Sequence, residues 1–335
     1  MKRLFYRLAM MVPILFAIAT VSFVATRIGG ADPAVLIAPP ESDNQTLDNI
    51  RARLGTDKPV FEQYVLYIGD VARLDLGTSY FTEKPVLREL LSRAPATFEL
   101  MILGMFIAVP LGVVSGAIAA RKRGSIRDRT VRGSSFALLA LPEFWIGLLL
   151  IYVFFFRLRW APPPIGQIGV SDPHPTPHTN AVVVDALISF DWTALRAAAR
   201  YAILPVITVG LAMAAPIARL MRSSMIEVLG SDYVRFAEAC GLSKRTLFRY
   251  TSRAALAPVV TFVGILFSVM LGSSVLTEVV FSWGGASQFV AESALRADLP
   301  MIQGFVVAAG VFSVVVFFIV DAVLQLIDPR VRLDY

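Results

Sequence analysis

The two histidines, His174 and His178, are the first residues to consider for chemistry. Imidazoles four residues apart can hold one metal ion when both lie on the same face of a helix. Pro175 and Pro177 stand between them and prevent that helix. We therefore expect both histidines in a surface loop and predict no metal site there.

The sequence gives equally little support for nucleophilic catalysis and for phosphate binding. Cys240 is the only cysteine, so the chain can form neither an internal disulfide nor a paired-thiolate metal site. We expect Cys240 to lie on the apolar face of a helix. No Gly-Lys-Ser or Gly-Lys-Thr occurs, and the chain therefore lacks a phosphate-cradling loop. We predict no catalytic residue and no bound cofactor or metal, so any dependence on ATP must come from a partner.

Three carboxylates lie in or near long apolar runs: Glu143, Glu278 and Asp321. A charge inside a bilayer is costly and is a candidate for an ion or proton relay. For Glu278 and Asp321, near the ends of their runs, snorkelling to the interface or pairing with a neighbouring helix is the favoured interpretation. Glu143 follows Pro142 well inside a run and is the better candidate for an interior polar role.

The elements that must position these residues are membrane-spanning helices. Hydrophobic residues make up 56% of the chain, and its mean hydropathy is +0.67. Several apolar runs reach the roughly 20 residues needed to cross a bilayer. The sequence therefore predicts an all-α polytopic membrane protein with six transmembrane helices. The predicted spans are residues 8–26, 100–120, 133–156, 201–220, 256–277 and 299–327.

A polar segment, residues 231–253, lies between two of these spans and carries the pattern of two helices. Ser231 is suited to cap the first helix, and Asp232 places a carboxylate on its first turn. Gly241 is suited to the left-handed conformation that ends a helix, which predicts about three turns. The expected apolar stripe is Tyr233, Phe236, Ala237 and Cys240, and the opposite face carries Asp232, Arg235 and Glu238.

So short a helix is marginal in water, and its aromatic face needs a groove. Docking onto a second protein and packing beneath the chain's own helix ends are equally compatible with the pattern. Ser243 is suited to cap the second helix. There Arg245, Arg249 and Arg253 recur every fourth residue and predict a basic face toward lipid phosphates or an acidic partner.

Basic residues predict the orientation. They precede the first span, crowd residues 121–132 and recur in residues 222–253, whereas the alternate loops are poorer in them for their length. This places both termini and the polar segment in the cytoplasm. Nucleic-acid binding is not indicated, because the basic clusters flank spans instead of forming one basic and aromatic patch. The first apolar run is too long for a signal peptide and is interpreted as a retained anchor.

Two segments are expected on the far side of the membrane. Residues 30–95 mix charges with periodic apolar residues and predict a small, partly helical piece. Residues 157–200 begin with three consecutive prolines, Pro162, Pro163 and Pro164, and more follow up to Pro177, which predicts an extended course. Within them, the stretch 182–195 is suited to lie flat at the interface.

Short segments spread over nearly the whole chain form a further pattern. They are Gly-Gly-Ala-Asp-Pro at 29–33, Leu-Gly-Thr-Asp-Lys-Pro at 54–59, Asp-Leu-Gly-Thr-Ser-Tyr at 75–80, Pro-Ala-Thr at 95–97, Asp-Tyr-Val-Arg at 232–235 with Gly-Leu-Ser at 241–243, Phe-Ser-Trp-Gly-Gly at 281–285, Pro-Met-Ile-Gln-Gly at 300–304 and Asp-Pro-Arg-Val-Arg at 328–332. In this order and spacing they resemble the permeases of dipeptide, oligopeptide and nickel ABC importers. Residues 231–253 resemble the cytoplasmic EAA loop of such permeases.

The resemblance implies a type I ABC importer (MetI-like) permease core with an extra N-terminal helix and extracytoplasmic segment. Residues 1–97 would hold that helix and segment, and residues 98–335 a five-helix core with a cytoplasmic coupling loop at about 221–255. The implied ATPase-coupling residues are Asp232, Tyr233, Arg235, Phe236, Ala237, Glu238, Cys240, Gly241 and Leu242.

The resemblance also implies partners in a bacterial inner membrane. They are a second homologous permease subunit, two ATP-binding cassette subunits that bind ATP and Mg, and an extracytoplasmic substrate-binding protein. The expected substrates are di- or oligopeptides, with nickel, glutathione, opines and oligosaccharides as alternatives. An ATP-independent secondary transporter is the competing class, but it would place charges deep within several spans, and only Glu143 is so placed.

The chain departs from the family pattern at two positions of the quoted segments. Arg235 stands where the broader EAA pattern has an acidic residue, six positions before the glycine, and Glu238 is displaced to three before it. Gly284 replaces the proline usual after the tryptophan, here Trp283. The departures leave the expected fold unchanged and leave the substrate open.

Overall fold

The protein is built from α-helices. The structure, a computed structural model, describes residues 2–28, 33–39 and 42–327. Within these ranges it contains fourteen α-helices and one π-helical segment, and its only β-type pairing is an isolated bridge between Thr78 and Pro85. The predicted all-α class is confirmed.

The helices follow one another along the whole chain. They are α1 (Lys2–Ile28), α2 (Pro33–Ile37), α3 (Asn44–Leu54), α4 (Val60–Ala72), α5 (Val86–Ala120), α6 (Ile126–Ala140), α7 (Glu143–Leu150), α8 (Val182–Ile188), α9 (Trp192–Leu229), α10 (Asp232–Ala239), α11 (Lys244–Ser273), α12 (Val275–Phe281), α13 (Ala286–Leu295) and α14 (Leu299–Ile327). The π-helical segment, Ile151–Arg157, continues α7.

Four helices of the described chain are long and apolar enough to cross a membrane: α5, α9, α11 and the Leu299–Val320 part of α14. The pair of α6 with α7 and its π-helical continuation adds a fifth if it forms one span. The apolar part of α1, Met11–Arg27, is shorter. The protein is therefore polytopic, and the sixth span stays a prediction.

The third predicted span, residues 133–156, is not a continuous helix. The two helices α6 and α7 are bent by 101° at Leu141 and Pro142. Leu141 is extended, with ψ 133°, because the ring of a following proline disfavours the helical conformation. Pro142 then stands at the N-cap of α7, where its missing N–H costs nothing. A largely apolar run therefore hides a change of direction.

The segments outside the longest helices also follow sequence cues. Helices α2, α3 and α4 make the first predicted extracytoplasmic segment largely helical, as expected, and residues 162–177 contain no helix. The stretch 182–195 is divided between α8 and the start of α9, and its position at the interface stays a prediction. The carboxylate of Asp191 separates them, because it accepts hydrogen bonds from the backbone N–H groups of Thr193 and Ala194 and so caps α9.

The chain forms two compact units. The first comprises Met1–Ala94 and Gly285–Val314. Within it α1 contacts α4, and the buried carboxylate of Asp298 accepts hydrogen bonds from Ser79 Oγ at 2.5 Å and from the backbone N–H of Tyr80 at 3.1 Å. The predicted division at residues 97 and 98 stays a prediction.

The second unit comprises Pro95–Gly284 and Val315–Tyr335, and α9 lies at its centre. Helix α9 contacts α6, α7, α8, α11 and α12. It also approaches α5 very closely, since a Cβ at Gly116 would lie 2.5 Å from the carbonyl oxygen of Ala218. Only glycine permits backbones to come this near.

A tryptophan secures the end of this unit's core. Trp283 is 1% exposed, and its indole Nε1 donates a hydrogen bond of 2.8 Å to the carbonyl of Ala96. The next residue, Gly284, has φ +82°. Proline is fixed near −65° and could not adopt this angle, so this turn needs a residue other than proline.

Candidate functional site

The candidate coupling helix, α10, follows α9 after only Gly230 and Ser231. Ser231 stands at its N-cap position, but the Ser231 hydroxyl donates a hydrogen bond of 2.6 Å to the carbonyl of Val228. It therefore closes the end of α9 and does not cap α10, so the predicted side-chain cap is wrong. Asp232 still supplies a carboxylate at the first turn, where the helix dipole favours negative charge.

Helix α10 ends at a glycine, as predicted. Gly241 has φ +82°, its N–H donates to the carbonyl of Glu238 at 2.9 Å, and the N–H of Leu242 donates to that of Ala237 at 3.2 Å. These two bonds form a Schellman motif, the usual closure of a helix through a left-handed residue. With eight residues the helix spans about two turns, or about 12 Å, and is shorter than the predicted three turns.

One face of α10 packs within the chain, and it is not the aromatic one. Val234 is 2% exposed and is the buried side chain of the helix, which contacts α11. Tyr233 and Phe236 are 56% and 72% exposed, and Cys240 is also exposed. The aromatic stripe therefore does not pack beneath the chain's own helix ends. It faces outward on a helix that is held from its other side.

Charged residues surround this aromatic face. Asp232, Arg235 and Glu238 are all exposed. Arg235 Nη1 lies 3.6 Å from Asp232 Oδ1, and an ion pair this exposed contributes at most about 1 kcal/mol. The exposed surface of α10 thus carries aromatic side chains on one face and charged side chains on another.

The start of α11 agrees with the prediction. The hydroxyl of Ser243 accepts a hydrogen bond of 3.2 Å from the backbone N–H of Thr246. Arg245, Arg249 and Arg253 are all exposed, whereas Leu247 is buried. The basic face and the packed face of α11 are therefore on different sides.

An ion pair near this loop was not predicted. Asp128, 1% exposed, accepts hydrogen bonds from Arg222 Nε at 2.5 Å and Arg222 Nη2 at 3.1 Å, and it also accepts one from the N–H of Gly124. Ser125 accepts from the N–H of Asp128 and caps α6. The Ser-x-x-Asp pattern at 125–128 could have indicated the cap. Arg222, ninety-four residues further along the chain, carries no such signal.

The interior carboxylates have polar partners. Glu143 accepts a hydrogen bond of 2.7 Å from the hydroxyl of Thr277. Glu278 is fully buried, which argues against snorkelling to the interface, whereas the alternative, pairing with a neighbouring helix, stays a prediction. Glu99, which the sequence did not single out, is 3% exposed and accepts from the N–H of Val184 at 3.0 Å. An interior role for Glu143 stays a prediction, and the side chain of Asp321 lies outside the described residues.

Both histidines lie in an exposed loop, as expected. His174 Nδ1 lies 2.8 Å from the carbonyl oxygen of Asp172, and His178 is exposed. Across the described ranges, no group of three or more potential metal ligands comes together. The terminal segment 328–332 and residues 29–32 of the family pattern lie outside the described residues.

Comparison with known proteins identifies the family. Residues 108–333 match the family described as binding-protein-dependent transport system inner membrane component, and residues 1–101 match its N-terminal companion.

Curated relatives cover almost the entire chain. The di/tripeptide transport system permease protein DppB of Pseudomonas aeruginosa is 37% identical over 97% of both chains. The dipeptide transport system permease protein DppB of Escherichia coli K12 is 34% identical over 97% of both. The glutathione transport system permease protein GsiC of Escherichia coli is 33% identical, again over 97% of both. The chain belongs to the binding-protein-dependent transport system inner membrane components, the multi-pass permease subunits of ABC importers.

Proposed function

We propose that α10 is the surface through which partner ATPase subunits move this permease. One observation carries the proposal: the helix buries Val234 within its own chain and leaves Tyr233 and Phe236 exposed. Burying a side chain such as Phe236 contributes roughly 1.5–3 kcal/mol, which is enough to make this face a docking point. The proposed assembly contains a second homologous permease, two ATPase subunits that bind ATP and Mg, and an extracytoplasmic binding protein.

In this proposal ATP acts only through a difference in contacts. Closure of the ATPase pair moves α10, and α9 and α11 transmit the movement to the other spans. A nucleotide can shift the conformational equilibrium only when the ATPases contact α10 differently in the two states. The proposal places α10 and both termini in the cytoplasm.

Replacing Phe236 tests the docking. Phe236→Asp puts a charge where the proposal puts an apolar groove, at a cost of several kcal/mol. We expect the ATPase subunits to be lost from the purified complex and uptake to fall with them. Arg249→Ala removes an exposed charge from α11 and is the matched control, with little expected effect. Normal ATPase retention and uptake in Phe236→Asp would show that α10 is only a connector.

Replacing Gly241 tests whether the direction of α10 matters for coupling. No atom lies within 4 Å of a Cβ built there, so Gly241→Val acts through its φ of +82°, at a cost of about 1–2 kcal/mol. We expect the protein to insert and ATP hydrolysis and uptake to fall together. Gly230→Ala is the control, because Gly230 has φ −83° and its added Cβ meets nothing closer than 3.5 Å. Equal activity of both variants would contradict the assigned role of Gly241.

We further propose that the substrates are di- or oligopeptides, as the names of the two DppB relatives suggest. Glutathione is the second candidate because the GsiC relative is nearly as similar. Nickel, opines and oligosaccharides are the remaining alternatives within the class. Loss of this chain should abolish growth on short peptides as sole source of a required amino acid and leave growth on the free amino acid intact. Undiminished peptide use, in a strain without redundant importers, would exclude peptides.

A further inference from the structure

A cleft of about 220 Å³ opens between α6 and α9, outside the proposed docking face. Helix α6 supplies one wall and α9 the other. The lining side chains are Val131, Arg132, Ser135, Phe136, Ala218 and Arg219, with Arg222 at one end. The cleft therefore combines an apolar surface with several guanidinium groups.

Two of these guanidinium groups lack a carboxylate partner. The charge of Arg222 is balanced by Asp128, whose two oxygens both accept from it. Arg132 lies one turn beyond Asp128 on α6 and contacts no carboxylate. In the described part of the chain, no carboxylate oxygen lies within 4.0 Å of Arg132 or Arg219. The charge of Arg132 also acts on Asp128, but one carboxylate faces three guanidinium groups, so the cleft keeps a net positive charge.

The apolar part of the lining is exposed. Phe136 is 63% exposed, and the guanidinium carbon of Arg219 lies 5.5 Å from the centre of its ring. This contact holds the arginine over the aromatic face and leaves its N–H groups available.

The positions of Arg132 and Arg219 along their helices place the cleft near the edge of a bilayer. Arg219 directly follows the uncharged stretch 201–218 of α9, and Arg132 precedes the apolar residues 136–140 of α6. Both arginines therefore lie where membrane-spanning segments meet their polar ends, which is the level of lipid headgroups.

We propose that this cleft binds the phosphate group of an anionic phospholipid. Arg132 and Arg219 would hold the phosphate oxygens, since the planar guanidinium suits that geometry. Val131, Phe136 and Ala218 would contact the glycerol and the first methylenes of the acyl chains. Basic clefts between membrane helices are a recognised kind of headgroup site. The inference requires neither the proposed docking role of α10 nor a particular transported substrate.

Lipid retention tests the inference. The assembled importer, purified with equal amounts of phosphatidylglycerol and phosphatidylcholine, is compared by native mass spectrometry with Arg132→Gln/Arg219→Gln. We expect this pair to lose about one phosphatidylglycerol per chain, because it removes the charge-assisted hydrogen bonds to the phosphate. Arg127→Gln/Arg129→Gln is the matched control, since it removes the same charge from exposed positions of α6 outside the cleft. Equal retention by wild type and cleft pair, or equal loss in both pairs, overturns the proposal.

Two further arms separate the remaining explanations. Arg132→Lys/Arg219→Lys keeps both charges but not the planar guanidinium and should recover part of the retained lipid, whereas a loss equal to that of the glutamine pair would show that positive charge does not hold the lipid and would contradict the proposal. Inorganic phosphate is added to wild type in the presence of each lipid. If it displaces phosphatidylglycerol and raises the melting temperature in phosphatidylcholine alone, the cleft is a soluble-phosphate site and the lipid assignment is wrong.

Discussion

Asp128 and Arg222 differ from most charged residues of this protein because their contact is shielded from water. Asp128 is 1% exposed and accepts two hydrogen bonds from one guanidinium. A buried carboxylate that loses its partner keeps the full cost of its desolvation. By contrast, the Arg235–Asp232 pair on α10 is open to solvent at both side chains. Similar residue types therefore contribute very different free energies at the two places.

Two substitutions of equal chemistry test this difference. Asp128→Asn should lower the free energy of unfolding by about 1.5–3 kcal/mol, because it removes the counter-charge of the partly exposed Arg222 and weakens two charge-assisted hydrogen bonds. Asp232→Asn removes the same charge from an exposed pair and should change stability by less than about 1 kcal/mol. Thermal unfolding of the detergent-purified chain, followed by size-exclusion chromatography, measures both. Equal melting temperatures for the two variants would contradict the assigned strength of the buried pair.

Residues 231–243 show which local features can be predicted from the sequence and which cannot. Gly241 and Ser243 were predicted correctly, because a left-handed helix end and an N-cap each depend on one residue and its immediate neighbours. Whether the aromatic face of α10 packs within the chain was left open, since Val234 and Phe236 are both apolar and the choice depends on the position of α11. Arg222 could not be paired with Asp128 for the same reason, because only the folded chain brings them together.

Helices α5 and α9 illustrate what single elements contribute, because a row of glycines on α5 lets the two helices pack closely. A Cβ at Gly104, Gly112 or Gly116 would lie 2.5–2.7 Å from the nearest atom of α9. Where glycine removes side chains from a helix contact, the two helices gain close packing that lipid cannot supply. The pair therefore forms a rigid part of the second unit.

Two glycine-to-alanine changes should act in opposite directions. Gly116→Ala places a methyl group 2.5 Å from the carbonyl oxygen of Ala218 and should destabilise by about 1–3 kcal/mol. Gly133→Ala, in the interior of α6 with no atom within 4 Å of the added Cβ, should stabilise by about 0.5–1 kcal/mol. The melting temperatures of both variants, each compared with that of the wild type, test these two expectations. A stabilised Gly116→Ala would mean that the two helices are not in close contact.

At the scale of elements, the apolar runs predicted the positions of the long helices α5, α9, α11 and α14. Hydropathy does not report backbone direction, and the bend between α6 and α7 was therefore missed. Leu141 and Pro142 did carry a usable signal, since a residue before proline avoids the helical conformation.

The molecule as a whole has a net charge of +6, and its basic residues cluster beside the spans. Charge at span ends predicts orientation and says little about helix packing. The family comparison fixes the inner membrane as the location, and the direction in which the chain crosses it stays a prediction.

Cysteine labelling tests that direction. Cys240 is the only cysteine and is exposed, so a membrane-impermeant thiol reagent should label it in inverted vesicles and not in intact cells. Gln45→Cys in a Cys240→Ser background should behave oppositely, because Gln45 is exposed on α3 in the predicted extracytoplasmic segment. Vesicles stripped of partner subunits serve as the control for masking of Cys240. Labelling of Cys240 from outside the cell would reverse the topology and exclude a cytoplasmic docking helix.

The two-residue junction between α9 and α10 is too short to act as a flexible linker. Gly230 N–H and Ser231 N–H both bond back to the last turn of α9, and the Ser231 hydroxyl does the same. A longer, flexible junction would change its length as α10 moved, and the movement would not reach α9. Here a pull on α10 must displace the end of α9 itself. Since α9 has 38 residues and is about 57 Å long, a tilt of about 5° would carry its far end through about 5 Å.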